Sequence, residues 1–246
     1  MQWMTTAEGW AALLTLTVLE IVLGIDNIIF IAIAAGTLPP GTRERARRVG
    51  LFLAMFIRIA LLLSIVWVMT LTRPLMTLMG VELSGRSLIL AGGGLFLIFK
   101  STREIHDNLE GETLEQTARH AASFAGVIVQ ILLLDIVFSL DSVITAVGMA
   151  EFVSIMIAAI VIAVFAMLLA STAIAEFVER HPTVKMLALA FLLLIGLSLI
   201  AEGFGQHVPK GYIYFAMSFS VFVEMINLRM RSKASAVHLR RNLPDS

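Results

Sequence analysis

The chain has 246 residues, of which 59% are hydrophobic and 15% charged, with a mean hydropathy of +0.92. An ordinary soluble domain carries roughly 25% charge, so a soluble enzyme, a disordered chain and a nucleic-acid binder are excluded. Eighteen basic residues balance eighteen acidic ones and leave no net field for a polyanion. Cysteine is absent, which removes disulfides, thiolate metal sites and Fe–S clusters. What remains is an all-α membrane protein.

A helix needs roughly 17–25 apolar residues to cross a bilayer. Seven such stretches are expected, at about 10–35, 49–70, 87–101, 121–148, 152–175, 183–202 and 211–228. The third is interrupted by Gly92, Gly93 and Gly94. The first is not a cleaved signal peptide: it is too long, has no basic start and carries Glu20 and Asp26. With seven crossings, fourteen basic residues fall on one side and three on the other. The excess marks the cytoplasm, so the N-terminus lies outside and the C-terminus inside a cell (inner) membrane. Trp3, Trp10, Trp67, Tyr212 and Tyr214 fall near the outer interface. The basic tail, 229–246, reads as a cytoplasmic topology signal touching anionic lipid. The segment 100–120, with five acids and two histidines, reads as a solvated connector.

The first and fourth stretches repeat one another. Leu19-Glu20-Ile21-Val22-Leu23-Gly24-Ile25-Asp26-Asn27-Ile28-Ile29 aligns without gaps to Leu134-Asp135-Ile136-Val137-Phe138-Ser139-Leu140-Asp141-Ser142-Val143-Ile144. Apolar matches mean little in a membrane protein, but two acids at one spacing with a small residue between them are informative. Gly94-Leu95-Phe96-Leu97-Ile98 echoes Gly196-Leu197-Ser198-Leu199-Ile200. The transmembrane region, 10–228, then divides into repeat one (about 10–101), repeat two (about 121–202) and an added seventh helix (211–228). Three crossings per unit make the copies inverted, an architecture whose sites lie near the midplane.

Glu20, Asp26, Asp135 and Asp141 each cost about 2.5–3.5 kcal/mol at a helix centre, so a cation, a proton or a basic partner must compensate them. Arg58 is the only basic residue deep in a stretch, and its depth allows an Asp26–Arg58 pair, which leaves three acids without an obvious partner. Such a pair as mere helix glue is the plainer alternative. Glu20, Gly24 and Asn27 share one helical stripe; Asp135, Ser139 and Ser142 share the matching one. Asp26 and Asp141 lie about 100° away, so helix breaks at Gly24 and Ser139 are expected to bring them round. The oxygen donors, with Asn27 and Ser142 assisting, suit hard divalent cations: Mg²⁺, Ca²⁺ or Mn²⁺. Of the thirteen methionines, Met55 and Met149 are the ones singled out.

The paired strings, the chain length and the segments 179–189 and 207–217 resemble the TerC family, in its short YgdQ-like branch, within a wider group of LysE-type exporters. That resemblance implies Mn²⁺ as the leading cargo, bound in transit by Glu20, Asp26, Asp135 and Asp141. Ser142 departs from family members that have Asn after both aspartates. The expected function is export of a divalent cation by alternating access, coupled to protons or Na⁺. Mn²⁺ or another hard divalent is cargo, with no fixed cofactor. The alternatives are an amino-acid or organic-solute exporter and a non-transporting partner in metallation of secreted proteins. Membrane lipid is the expected surrounding and a homo-oligomer stays open. No nucleic-acid partner and no enzymatic activity are expected, since no catalytic motif is present.

Overall fold

The computed structural model describes residues 2–78, 81–110, 123–149, 153–206 and 208–233; within its helices the side chains of Asp26, Asp141 and Ser142 lie outside what it describes. A short 3₁₀ turn, Gln2–Thr5, leads into α1 (Ala7–Gly36). Thr6 caps α1 by accepting the Gly9 N–H at 3.2 Å, which satisfies one of the orphan donors of the first turn. Pro39 and Pro40 start α2 (Pro40–Leu63), where a missing N–H costs nothing. Ser64 interrupts the helix, and α3 (Ile65–Thr70) continues it. A hairpin follows, β1 (Pro74–Leu78) against β2 (Val81–Ser84), antiparallel with Thr77 opposite Glu82. This short hairpin is the one β element among the described residues, and the all-α reading stands.

The remaining elements are α4 (Gly85–Glu110), α5 (Phe124–Met149), α6 (Val153–Arg180), α7 (Pro182–Gly203) and α8 (Lys210–Lys233). The break between α6 and α7 falls at His181, extended as the residue before a proline must be. By length and composition α1, α6, α7 and the 211–230 part of α8 suffice to cross a membrane, and α5 contributes a shorter apolar segment, Phe124–Leu140.

Two expectations change. Both α1 and α5 run unbroken through Gly24 and Ser139. A continuous helix keeps every backbone group paired internally, which an apolar surrounding rewards. The glycines of the third stretch do not interrupt it either, since α4 passes through them and extends to Glu110. The first part of the expected connector is therefore helix, with Glu104 and Asn108 held by Lys185 Nζ at 3.1 and 2.9 Å. His120 and the rest of 111–122 lie outside the described residues.

Two compact units emerge, 1–208 and 209–246. In the first, α1 packs chiefly on α6, α2 on α5 and α4 on α7, while α1 also meets α5. Leu14, Phe56, Phe99, Phe165 and Leu169 point outward and are more than half exposed. Leu62, Leu90, Leu97, Ile131, Leu134 and Leu189 fill the interior. A rim of large apolar side chains around a helical interior suits a lipid surrounding, where outward-facing Leu and Phe need no cover. The second unit is α8 alone among the described residues, with Phe215 and Phe219 stacked one turn apart.

Candidate cation site

α1, α2 and α5 bring one guanidinium and two carboxylates to a single point. Arg58, on α2, donates from Nη1 to Glu20 Oε2 at 2.7 Å. From Nη2 and Nε it donates to Asp135 Oδ1 at 2.7 and 3.1 Å. Asn27 Nδ2 reaches the same Asp135 oxygen at 3.4 Å, and Ser139 Oγ donates to Asp135 Oδ2 at 3.3 Å. Arg58 is 3% exposed, Glu20 and Asp135 4% and Asn27 5%.

The reason these residues meet is helical phase. Glu20 and Asn27 lie on the stripe of α1 that turns inward, and Asp135 and Ser139 on the corresponding stripe of α5. Arg58 lies on the stripe of α2 marked by the buried Leu51, Ala54 and Leu62. Gly24 lies on the α1 stripe too, but its role is to admit α6: a Cβ there would sit 2.5 Å from Met167 Sδ.

With both carboxylates ionised the cluster is not neutral. Two carboxylates face one guanidinium, so the ionised triad carries one excess negative charge. A buried ion pair barely repays its desolvation even when balanced, and an unbalanced one calls for a further proton or cation. One ligand position is already in place: Asn27 Oδ1 is buried and has no hydrogen-bond partner among the described residues. A buried amide oxygen without a donor is costly unless something positive comes to it.

Two small cavities lie along α1. Glu20 lines a cavity with Leu16, Leu62 and Met156, with room for about one water molecule. Leu16 precedes Glu20 along α1 and Leu62 follows Arg58 along α2, so this cavity lies toward the start of α1. A second cavity lies toward the end of α1, lined among others by Phe30, Thr37, Ser101, Glu104 and Gln130. The triad stands between the two.

The Asp26–Arg58 pair that depth allows falls on a side chain outside the described residues; among those residues Arg58 pairs with Glu20 and Asp135. Glu20 is an acid that α1 offers inward. Two acids thus share the cation that was expected to serve one. Glu20, Asn27, Arg58, Asp135 and Ser139 come together. The calls on the side chains of Asp26, Asp141 and Ser142, and on Met149, lie outside the described residues. Among the described residues no three His, Cys, Asp or Glu side chains cluster as a ready cation cage.

Sequence reasoning missed Met156, at the cavity beside Glu20, and Met167, against Gly24. It also missed Thr17, whose buried hydroxyl has no partner among the described residues. Thr17 precedes Glu20 by three residues on the same stripe, and that spacing was the signal available. Arg47, counted as a loop charge, is 6% exposed inside α2.

A model of the integral membrane protein TerC family matches residues 5–237. The chain is 58% identical to the UPF0053 inner membrane protein YgdQ of Escherichia coli K12 over 231 residues, 94% of this chain and 97% of the relative. It is 58% identical to a UPF0053 protein of Haemophilus influenzae, covering 94% and 98%. It is 54% identical to the inner membrane protein YoaE of Escherichia coli K12 over 92% of this chain but only 44% of that longer protein. No solved structure matches.

Proposed function

From the premise that the chain belongs to the TerC family of integral membrane proteins, we propose that it exports a divalent cation, with Mn²⁺ the leading cargo. The route is alternating access through the Glu20–Arg58–Asp135 cluster. The relatives and the exposed apolar helices make it a multi-pass inner-membrane protein. The finer reading adds seven crossings, the N-terminus outside and two inverted three-helix repeats. It is supported by reciprocal packing: α1 on α6 corresponds to α5 on α2 when the repeats are exchanged, and α4 on α7 corresponds to itself.

One observation carries the transport reading. The equivalent acids of the two repeated motifs, Glu20 and Asp135, are drawn onto one buried guanidinium, two carboxylates to one cation, with small cavities toward either end of α1. A permanent structural clamp has no use for the excess charge, whereas a cation carrier does. Asp26 and Asp141 extend the oxygen ladder away from this point, and metal and proton compete for the same oxygens, which suits proton exchange; Na⁺ is the alternative coupling ion. Arg58 is the natural dock for the carboxylate of an organic solute, but two protein carboxylates already occupy it, which disfavours an amino-acid exporter.

The test is flux of Mn²⁺, Mg²⁺, Ca²⁺ and Zn²⁺ in proteoliposomes, with and without a pH gradient. Mn²⁺ should move fastest and respond to the gradient. Asp135→Asn and Asp26→Asn should each lower the flux at least about tenfold, the loss expected when a charged ligand is removed. Absence of flux for all four ions, or flux indifferent to both substitutions, overturns the proposal.

A further inference from the structure

We infer that Arg58 is a tethered counter-cation: it occupies the carboxylate pair when cargo is absent, yields it when cargo arrives, and so permits the empty carrier to return. This rests on the transport reading above and adds to it the half of the cycle in which no metal is carried.

Charge counting gives the reason. With Arg58 seated, the empty cluster carries one negative charge. With a divalent cation bound and the guanidinium still nearby, it carries one positive charge. Neither state departs from neutrality by more than one unit. Replace Arg58 by a neutral residue and the balance shifts: the loaded site becomes neutral and the empty site carries two negative charges. Buried uncompensated charge is the costly condition. Such a variant should hold its cargo more tightly and stall when empty.

The geometry suits an exchange of cations over the same oxygens. Arg58 reaches Glu20 through one nitrogen and Asp135 through two, so it bridges the carboxylates of α1 and α5 as a divalent ion would. Asn27 Oδ1 is buried beside Asp135 without a partner among the described residues, and the hydrogen bonds of Arg58 go to Glu20 and Asp135 instead, so this acceptor is open to an arriving cation. Glu20 also lines the small cavity of Leu16, Leu62 and Met156, so one carboxylate borders free space while Arg58 holds the other. The two cations then replace one another stepwise, and at no stage is the pair left bare.

The experiment separates net efflux from isotope exchange in proteoliposomes. Net efflux needs the empty carrier to return; exchange of ⁵⁴Mn²⁺ for Mn²⁺ uses only loaded states. Arg58→Gln should slow both modes, but net efflux at least about tenfold more than exchange. Its equilibrium dissociation constant for Mn²⁺, measured by titration calorimetry in detergent, should fall about tenfold because the internal competitor is gone. Arg58→Lys keeps the charge and reads the same contrast if the Gln variant does not reconstitute. Its single ammonium grips less well than the fork, so net efflux should drop several-fold more than exchange. An equal fall in both modes, or in neither, makes Arg58 a fixed clamp and overturns the inference while leaving transport standing. Absence of Mn²⁺ movement in either mode in the unsubstituted protein fails the transport reading instead.

Discussion

Two seams hold the first unit together, and they do so with opposite materials. Around Arg58 the helices α1, α2 and α5 meet through charge, with three long polar side chains filling the space between their axes. Between α4 and α7 they meet through the absence of side chains: a Cβ at Gly94 would lie 2.5 Å from the Gly196 carbonyl oxygen, and one at Gly196 would lie 2.9 Å from the Gly94 oxygen. In lipid no hydrophobic force gathers helices, so close backbone packing and polar bonds must do so. The two solutions differ in how many arrangements they allow. Backbone against backbone fits in one way, whereas a cluster with more negative charge than positive can exchange its partner for another cation. The first suits a fixed frame and the second a working part.

The sharpest way to break this contrast is Gly94→Ala. Its new methyl would meet the Gly196 oxygen, Ile200 Cγ1 at 2.8 Å and the Ile200 nitrogen at 3.1 Å. Two of these are backbone atoms that cannot turn aside, so α4 and α7 must separate. Overpacking typically costs about 1–3 kcal/mol and here should reach the upper end. Gly24→Ala is the control, because its nearest neighbour is the flexible end of Met167, and it should cost under about 1 kcal/mol. Unfolding in mixed micelles measures both. Equal costs at the two positions would mean that the glycine seam is not the rigid one.

What could be read from the residues divides along the same line. The apolar stretches and the matched motifs around Glu20 and Asp135 were visible because periodicity and spacing are one-dimensional properties. Helical phase even named the stripe on which Glu20, Asn27, Asp135 and Ser139 meet. The Glu20 and Asp135 partners of Arg58 were not legible because rise along a helix gives depth but not which side chains of neighbouring helices face one another. Gly92, Gly93 and Gly94 looked like an interruption because a glycine that ends a helix and one that admits a neighbour are identical in sequence. Gly93 in fact faces Val137, where a Cβ would lie 2.6 Å from its methyls. Burial of Arg47 had no signal at all, since four arginines in six residues read as a solvated end.

Glu20→Gln sharpens the other half of the comparison. Removing one member of a balanced buried pair costs about 3–5 kcal/mol because a charge is stranded. Here the substitution leaves Arg58 with Asp135 alone, a neutral pair still joined by two hydrogen bonds. Stability should therefore change by less than about 1 kcal/mol, while Mn²⁺ binding is lost. A cost near that of a stranded charge would show that the triad is already balanced by a partner among the residues not described here.

The smallest effect is expected at the ends of the glycine seam. Arg86 meets Glu202 at 3.2 Å at one end of the α4–α7 pair, and Lys185 meets Glu104 at 3.1 Å at the other. Both pairs look like bolts on the frame, but each keeps part of its surface in water, where Coulomb attraction is screened and ordering two long side chains takes back much of the gain. Lys185→Met should cost about 0.5 kcal/mol, and the difference should vanish in high salt. Close approach at Gly94 and Gly196 does not depend on ionic strength, so salt titration of the unfolding midpoint separates the two contributions. If Lys185→Met cost as much as Gly94→Ala and the cost faded with salt, charge rather than backbone contact would be holding α4 to α7, and the two seams would be made of the same material after all.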